Sequence, residues 1–343
     1  MPPITRSLRR LTSTRSSNRP DGDGSKRVAI ACQGGGSHTA FTAGVLEHLL
    51  SNLDSRYHVS GLSGASGGAV CATAAWYGLM DESRNPGSVL DAIWTDIAAE
   101  SLWDRWMNAV ALVNDAFDGG TAMSKAWVKG SSAPRRRLTD ILSAHIDFDS
   151  FDRLANARAS APSLLVGAVD VDGGEHVCFQ DGDVTVDSVL ASAAIPPLFN
   201  PVTIDGVPYL DGVFSENPPI WNFLVDEDAD ESVDHPDELW VVKINPDGAR
   251  FGPTASTDTE TRVRQLVGDL SLSHQLRFVD TLHEFSDRGL LHDRFDPPET
   301  KIIQLPAEAA ASISKLDRSA QTVARLREVG ETEARAFLAD EAA

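Results

Sequence analysis

The stretch that most restricts how this chain folds is Gly64-Ala65-Ser66-Gly67-Gly68. It follows an apolar run that begins at Val59 and leads into an alanine-rich helical pattern. It reads G-x-S-x-G. In that setting a serine sits on a tight strand-to-helix turn with its hydroxyl pushed outward. The flanking Gly64 and Gly68 stand where a Cβ would clash. The turn also places Ser66 at a helix N-terminus, where backbone N–H groups favour negative charge.

About thirty residues upstream, Val28–Cys32 reads as a short buried strand. Gln33-Gly34-Gly35-Gly36 follows, and then a helical pattern from Ala40 to Leu50. Successive glycines between strand and helix leave backbone N–H groups bare, and such donors can stabilise an oxyanion as it forms. A nucleotide phosphate loop is the competing reading. A Walker sequence needs Gly-Lys-Ser/Thr after its spacer, which is missing here. A dinucleotide fingerprint needs a third glycine where Thr39 stands. Downstream, Tyr209-Leu210-Asp211-Gly212-Val213 follows a strand-like Val202–Ile204 and a turn at Asp205-Gly206. An Asp-Gly pair by itself marks a turn. Asp211 differs in its apolar lead-in and in the run Ser215-Glu216-Asn217-Pro218-Pro219 just after it.

Taken in order, Gly34-Gly35-Gly36, Gly64-Ala65-Ser66-Gly67-Gly68 and Asp211-Gly212 resemble the patatin-like phospholipase family. Gly44-Val45-Leu46, the stretch Ala191–Phe199 and the late run Leu316-Asp317-Arg318-Ser319 add to the resemblance, which covers nearly everything from Lys26 to Leu338. Two positions depart from it. The family's glycine run often continues with a basic residue and a glycine, where this chain has His38 and Thr39. Val213 stands where the family has a small residue after Asp-Gly.

The resemblance implies a three-layer α/β/α sandwich with a mostly parallel central sheet. It also implies a serine acyl hydrolase that cleaves carboxylic esters of lipids. Ser66 and Asp211 would form a catalytic dyad, with Gly34, Gly35 and Gly36 as the oxyanion hole and Gly212 completing the Asp-Gly motif. The reaction would pass through an acyl-enzyme. An ordinary aspartate, pKa about 3.9, is a weak base for a serine hydroxyl, so Asp211 is expected to be partly desolvated. The same chemistry would serve a depolymerase of intracellular polyhydroxyalkanoate granules, or act on acylglycerols or acylated proteins.

Two other classes compete. An α/β-hydrolase with a Ser–His–Asp triad also uses G-x-S-x-G and places its histidine last. His235, His274, His283 and His292 all follow Asp211, and each reads as a solvent-facing histidine. A non-catalytic lipid-binding protein on the same fold is the second, because fold does not guarantee function. The intact Ser66, Asp211 and glycine run argue against it.

The net charge of −20 bounds the partners. It comes from 34 Asp and 16 Glu against 24 Arg and 6 Lys. An Asp-rich, Lys-poor balance reads as adaptation to high salt, where self-repulsion is screened. It argues against nucleic acid as a partner and against tight binding to anionic bilayers, leaving at most a peripheral contact with a membrane or granule. A need for molar salt in folding or activity decides that reading. The sequence has no apolar run of about twenty residues. Cys32, Cys71 and Cys178 have no metal-site spacing and read as reduced core residues of a cytoplasmic protein. No metal and no cofactor is expected.

Along the chain, residues 1–25 are basic and Ser/Thr-rich and read as disordered; 26–340 read as one hydrolase domain. A Trp-rich helical insertion at about 88–128, with Trp94, Trp103, Trp106 and Trp127, is a core segment or a candidate cap over the site. Residues 163–170 and 175–180 read as paired strands and 226–238 as a solvated acidic loop. Leu239–Ile244 reads as a buried strand, 259–289 as a long amphipathic helix, Ile302-Ile303 as a strand and 316–339 as closing helices. Alternating strands and helices put the site at the carboxyl ends of the strands.

Overall fold

In a computed structural model of the chain, residues 25–81, 84–98, 133–157, 161–196, 199–224, 235–246, 257–291, 296–311 and 313–342 are described. Strand β1 (Lys26–Cys32) leads through the glycine run into α1 (Thr39–Asn52). Strand β2 (Tyr57–Ala65) turns at Ser66 into α2 (Gly67–Met80), which is followed by α3 (Ser88–Ile97), α4 (Ala133–His145) and α5 (Phe151–Ala157). Then come β3 (Ser163–Asp170), β4 (Glu175–Gln180), α6 (Val186–Ser192), β5 (Val202–Ile204), β6 (Val207–Asp211) and α7 (Trp221–Leu224). The chain closes with β7 (Glu238–Lys243), α8 (Thr257–Asp287), β8 (Glu299–Gln304), α9 (Ala307–Ala311) and α10 (Ala320–Glu341).

The strands form a single sheet in the order β5-β6-β3-β2-β1-β7-β8, with β4 also paired to β3. From β3 to β8 every pairing is parallel. The pairs β3–β4, β3–β6 and β5–β6 are antiparallel. Parallel strands are covered on both faces and therefore read as continuous apolar runs; all six residues of β7 are buried. Side chains alternate across the sheet. Val28, Ile30, Cys32, Trp240 and Val242 pack on one face with α1, α2, α3 and α10. Ala29, Ala31, Leu239 and Val241 pack on the other with α7 and α8. The result is the expected three-layer sandwich.

Several sequence expectations need correcting or bounding. Cys178 is half-buried rather than core, because β4 has β3 as its one strand neighbour among the described residues; Cys32 and Cys71 are buried free thiols. Leu316–Ser319 is a capping turn, and α10 begins after it. Asp317 Oδ1 accepts the Ser319 N–H at 2.9 Å and Ser319 Oγ accepts the Thr322 N–H at 3.3 Å, the side-chain arrangement that starts a helix. Trp94 is core, 2% exposed. Trp103, Trp106, Trp127 and the candidate cap lie outside the described residues, as do residues 1–24 and most of the acidic loop.

Candidate functional site

Strand β3 sets the site. Its register places Ala65, the last residue of β2, opposite Gly167. Asp211, the last residue of β6, is opposite Ala168. Because β4 occupies one edge of β3 from Leu165 to Asp170, β2 and β6 must share the other edge, end to end. Neighbouring residues of one strand thus bring Ser66 and Asp211 together from distant parts of the sequence.

Ser66 has φ 55° and ψ −129°, a region that an L-residue adopts at a cost of about 1–3 kcal/mol. Hydrogen bonds hold it there. Its N–H donates to Ser192 O at 3.1 Å and to Ser192 Oγ at 3.0 Å, and Ser192 Oγ donates in turn to Gly167 O at 2.6 Å. Ser192 ends α6, whose start is fixed by a capping box between Thr185 and Ser188. On the helix side, Ser66 O accepts the Ala69 and Val70 N–H groups. Gly64 and Gly68 face one another across the turn. A Cβ on Gly64 would fall 2.3 Å from Gly68 O, which is why the G-x-S-x-G spacing closes so tightly.

Asp211 is wholly buried. Its Oδ1 accepts the Val213 N–H at 2.9 Å. Oδ2 is enclosed and has no full hydrogen bond among the described residues. Burial pushes the carboxyl up to about 7, while the Val213 N–H and the Ser66 hydroxyl pull it down. The sequence led us to expect partial desolvation; the enclosure is complete. No histidine is among the polar groups that act on this carboxyl. His235 and His283 bond to the carbonyls of Phe223 and Pro298, and His274 is exposed. His292 lies outside the described residues.

The glycine run passes directly over Ser66. A Cβ on Gly34 would stand 2.2 Å from Ala65 O and 2.8 Å from Ser66 Cβ. The Gly34 N–H, one of three donors expected from the sequence, is already engaged: it donates to Asn217 Oδ1 at 2.7 Å. The Gly35 and Gly36 N–H groups have no acceptor among the described hydrogen bonds. Asn217 is itself buried and returns a 3.4 Å contact from Nδ2 to Gly34 O. Sequence reasoning noticed the Ser215–Pro219 run but gave Asn217 no task. Ser192 was likewise quoted without a role. Both act through backbone atoms of residues distant in sequence, so nothing local marks them.

Fold and geometry together describe an α/β protein with a serine on a strained strand-to-helix turn, a buried carboxylate beside it and a glycine run packed against it. The family model of the patatin-like phospholipases matches residues 30–224, more than half of the chain. The chain belongs to the patatin-like phospholipase family, whose domains are lipid acyl hydrolases. The match runs from β1 to the end of α7 and includes the glycine run, Ser66 and Asp211. Comparison with curated proteins returns no match. Among solved structures, a chain of the heterodimeric ExoU–SpcU complex from the type III secretion system of Pseudomonas aeruginosa is similar at 13% identity and a TM-score of 0.33. The alignment covers 91% of this chain and 52% of that one, so this chain spans about half the length of that neighbour.

Among the described residues, no helix is long and apolar enough to cross a membrane, and no group of three or more His, Cys, Asp or Glu side chains could hold a metal ion.

Proposed function

We propose that this protein hydrolyses carboxylic esters of lipids through Ser66 and Asp211. The observation that carries the reading is the β3 register, which sets a buried carboxylate beside a serine held at positive φ. Asp211 takes the Ser66 proton as Oγ attacks the ester carbonyl carbon. The negative charge that develops on the carbonyl oxygen is met by the Gly35 and Gly36 N–H groups. Gly34 is not counted among these donors, because its N–H is engaged by Asn217. The bond to the alcohol oxygen then breaks, Asp211 returns the proton to that oxygen, and the acyl group remains on Ser66. Water repeats the sequence, with Asp211 again as base, and releases the acid.

A base that titrates near 7 suits proton abstraction at neutral pH far better than an ordinary carboxylate. Exposed apolar side chains next to the site support an acyl-chain substrate. Phe214 follows Asp211 closely, and Leu270 stands on α8, which packs on the Gly212–Phe214 turn.

The test is hydrolysis of short- and long-chain p-nitrophenyl esters by the wild type, Ser66→Ala and Asp211→Asn. Both variants should lose activity while remaining folded. The wild-type kcat/KM should rise through a group near 7 as Asp211 ionises. Activity retained by Ser66→Ala would sink the proposal.

A further inference from the structure

The glycine run is held from outside by a segment near the end of the chain, beyond the range that matches the family. Ser37 N–H donates to Lys315 O at 2.8 Å, Ser37 Oγ to Ser314 O at 3.2 Å, and His38 Nε2 bonds to Ile313 O at 2.9 Å. The Lys315 side chain then folds back along the run. Its Nζ lies 3.3 Å from the place where a Cβ on Gly35 would stand. Gly34 therefore packs against Ser66, and Gly35 packs against Ile244, whose Cδ1 would stand 2.3 Å from such a Cβ, with the Lys315 ammonium just beyond.

That ammonium is enclosed although the residue as a whole is only half-buried. It donates to Asn245 Oδ1 at 2.5 Å. Asn245 Nδ2 donates to Asp269 Oδ1 at 2.6 Å, and Gln33 Nε2 donates to the same oxygen at 3.2 Å. The direct partner is thus a neutral amide, and the carboxylate stands one hydrogen bond further away. No described carboxylate forms a salt bridge with Lys315, so its charge is not cancelled by contact. His38 occupies the place where the family pattern carries a basic residue. Burial and the Lys315 charge push it down to about 4, so it is neutral at pH 7.

We propose that Lys315 is the positioning cation of the glycine run, biasing the Gly35 and Gly36 donors toward a developing oxyanion without touching substrate. This rests on the Ser66–Asp211 reading above. An enclosed charge acts through a low-dielectric surrounding and is screened less than one in water. The charged or titratable groups facing it are Asp269 from α8 and His38 from the start of α1. Burial lowers the Lys315 pKa to about 8 against the pull of Asp269. The proton is therefore present at neutral pH and is lost as pH rises through about 8, taking the bias with it.

The experiment follows kcat and KM for a p-nitrophenyl ester from about pH 6 to 10 in the wild type, Lys315→Met, Lys315→Arg and Ser66→Ala. The wild-type kcat should fall above about 8. Lys315→Met should lower kcat about tenfold at neutral pH, less than the roughly hundredfold cost of losing a direct oxyanion donor. Its KM should change little and its alkaline decline should vanish. Lys315→Arg should keep most of the activity and move the decline to higher pH. Wild-type kcat with an unchanged alkaline decline in folded Lys315→Met would overturn the proposal. Should that variant not fold, an alkaline limb unmoved in Lys315→Arg would overturn it equally. Activity persisting in Ser66→Ala would instead remove the catalytic reading on which the proposal stands.

Discussion

Replacing Asp211 by Asn should make the protein inactive and more stable, and the gain in stability should grow with pH. The wild-type carboxyl titrates near 7 in the folded protein because it is wholly buried, against 3.8 for the free side chain. Since the folded-state value is the higher one, the unfolded chain releases this proton first as pH rises. The stabilising contribution of the protonated form is complete below about pH 4 and is lost as pH passes through about 7. Roughly three units at 1.36 kcal/mol each amount to about 4 kcal/mol at pH 8, a large share of the 5–15 kcal/mol that holds a typical domain together. Asparagine cannot ionise, and its Oδ1 can still accept the Val213 N–H. Urea unfolding of both proteins at intervals between about pH 4 and 8.5, with equal m-values, measures the difference. It should be near zero at the acid end and reach a few kcal/mol at the alkaline end. Glu216, which burial also pushes up to about 7, is present in both proteins and drops out of the comparison. A difference that stays constant with pH would refute the reasoning, because a constant gain would come from packing and not from a suppressed ionisation.

Two further outcomes are expected. Ser66→Gly should be inactive but about 1 kcal/mol more stable, since glycine adopts φ 55° without the strain that serine bears there; a variant less stable than wild type in thermal unfolding would contradict this. Asn217→Ala should leave the buried Gly34 N–H without its acceptor. The loss should destabilise the protein by about 1–3 kcal/mol and lower kcat more than it raises KM, whereas unchanged kinetics would show that Asn217 does not hold the glycine run in place.

Much of this was legible in the sequence because it is local. Gly64 and Gly68 announce a close turn, the apolar runs at β1 and β7 announce strands buried on both faces, and the pattern at 163–180 announces a hairpin. The helix of residues 257–287 was readable within two residues at each end. What was not legible depends on register between distant segments. Nothing near Asp211 reveals that β6 continues the edge of β3 where β2 stops. Nothing near Gly34 reveals that Asn217 takes its N–H, so three donors were expected where two remain unengaged. Nothing near Lys315 in the sequence reveals that it lies beside Gly35. The enclosure of Lys315 arises because Ile313–Lys315 bonds to Ser37 and His38, a pairing that local propensity does not encode.

Ser66 and Asp211 are suspended from adjacent residues of one strand, so their spacing does not depend on the length of chain that separates them. Among the described residues between Met80 and Ser163, none supplies a hydrogen bond that holds either residue. The connection between β2 and β3 can therefore lengthen or shorten in the course of descent without moving Ser66 or Asp211, provided that Leu90, Ile93, Trp94 and Leu142 keep their places in the core. An engineer could vary the length of that connection and leave Ser66 and Asp211 where β3 holds them.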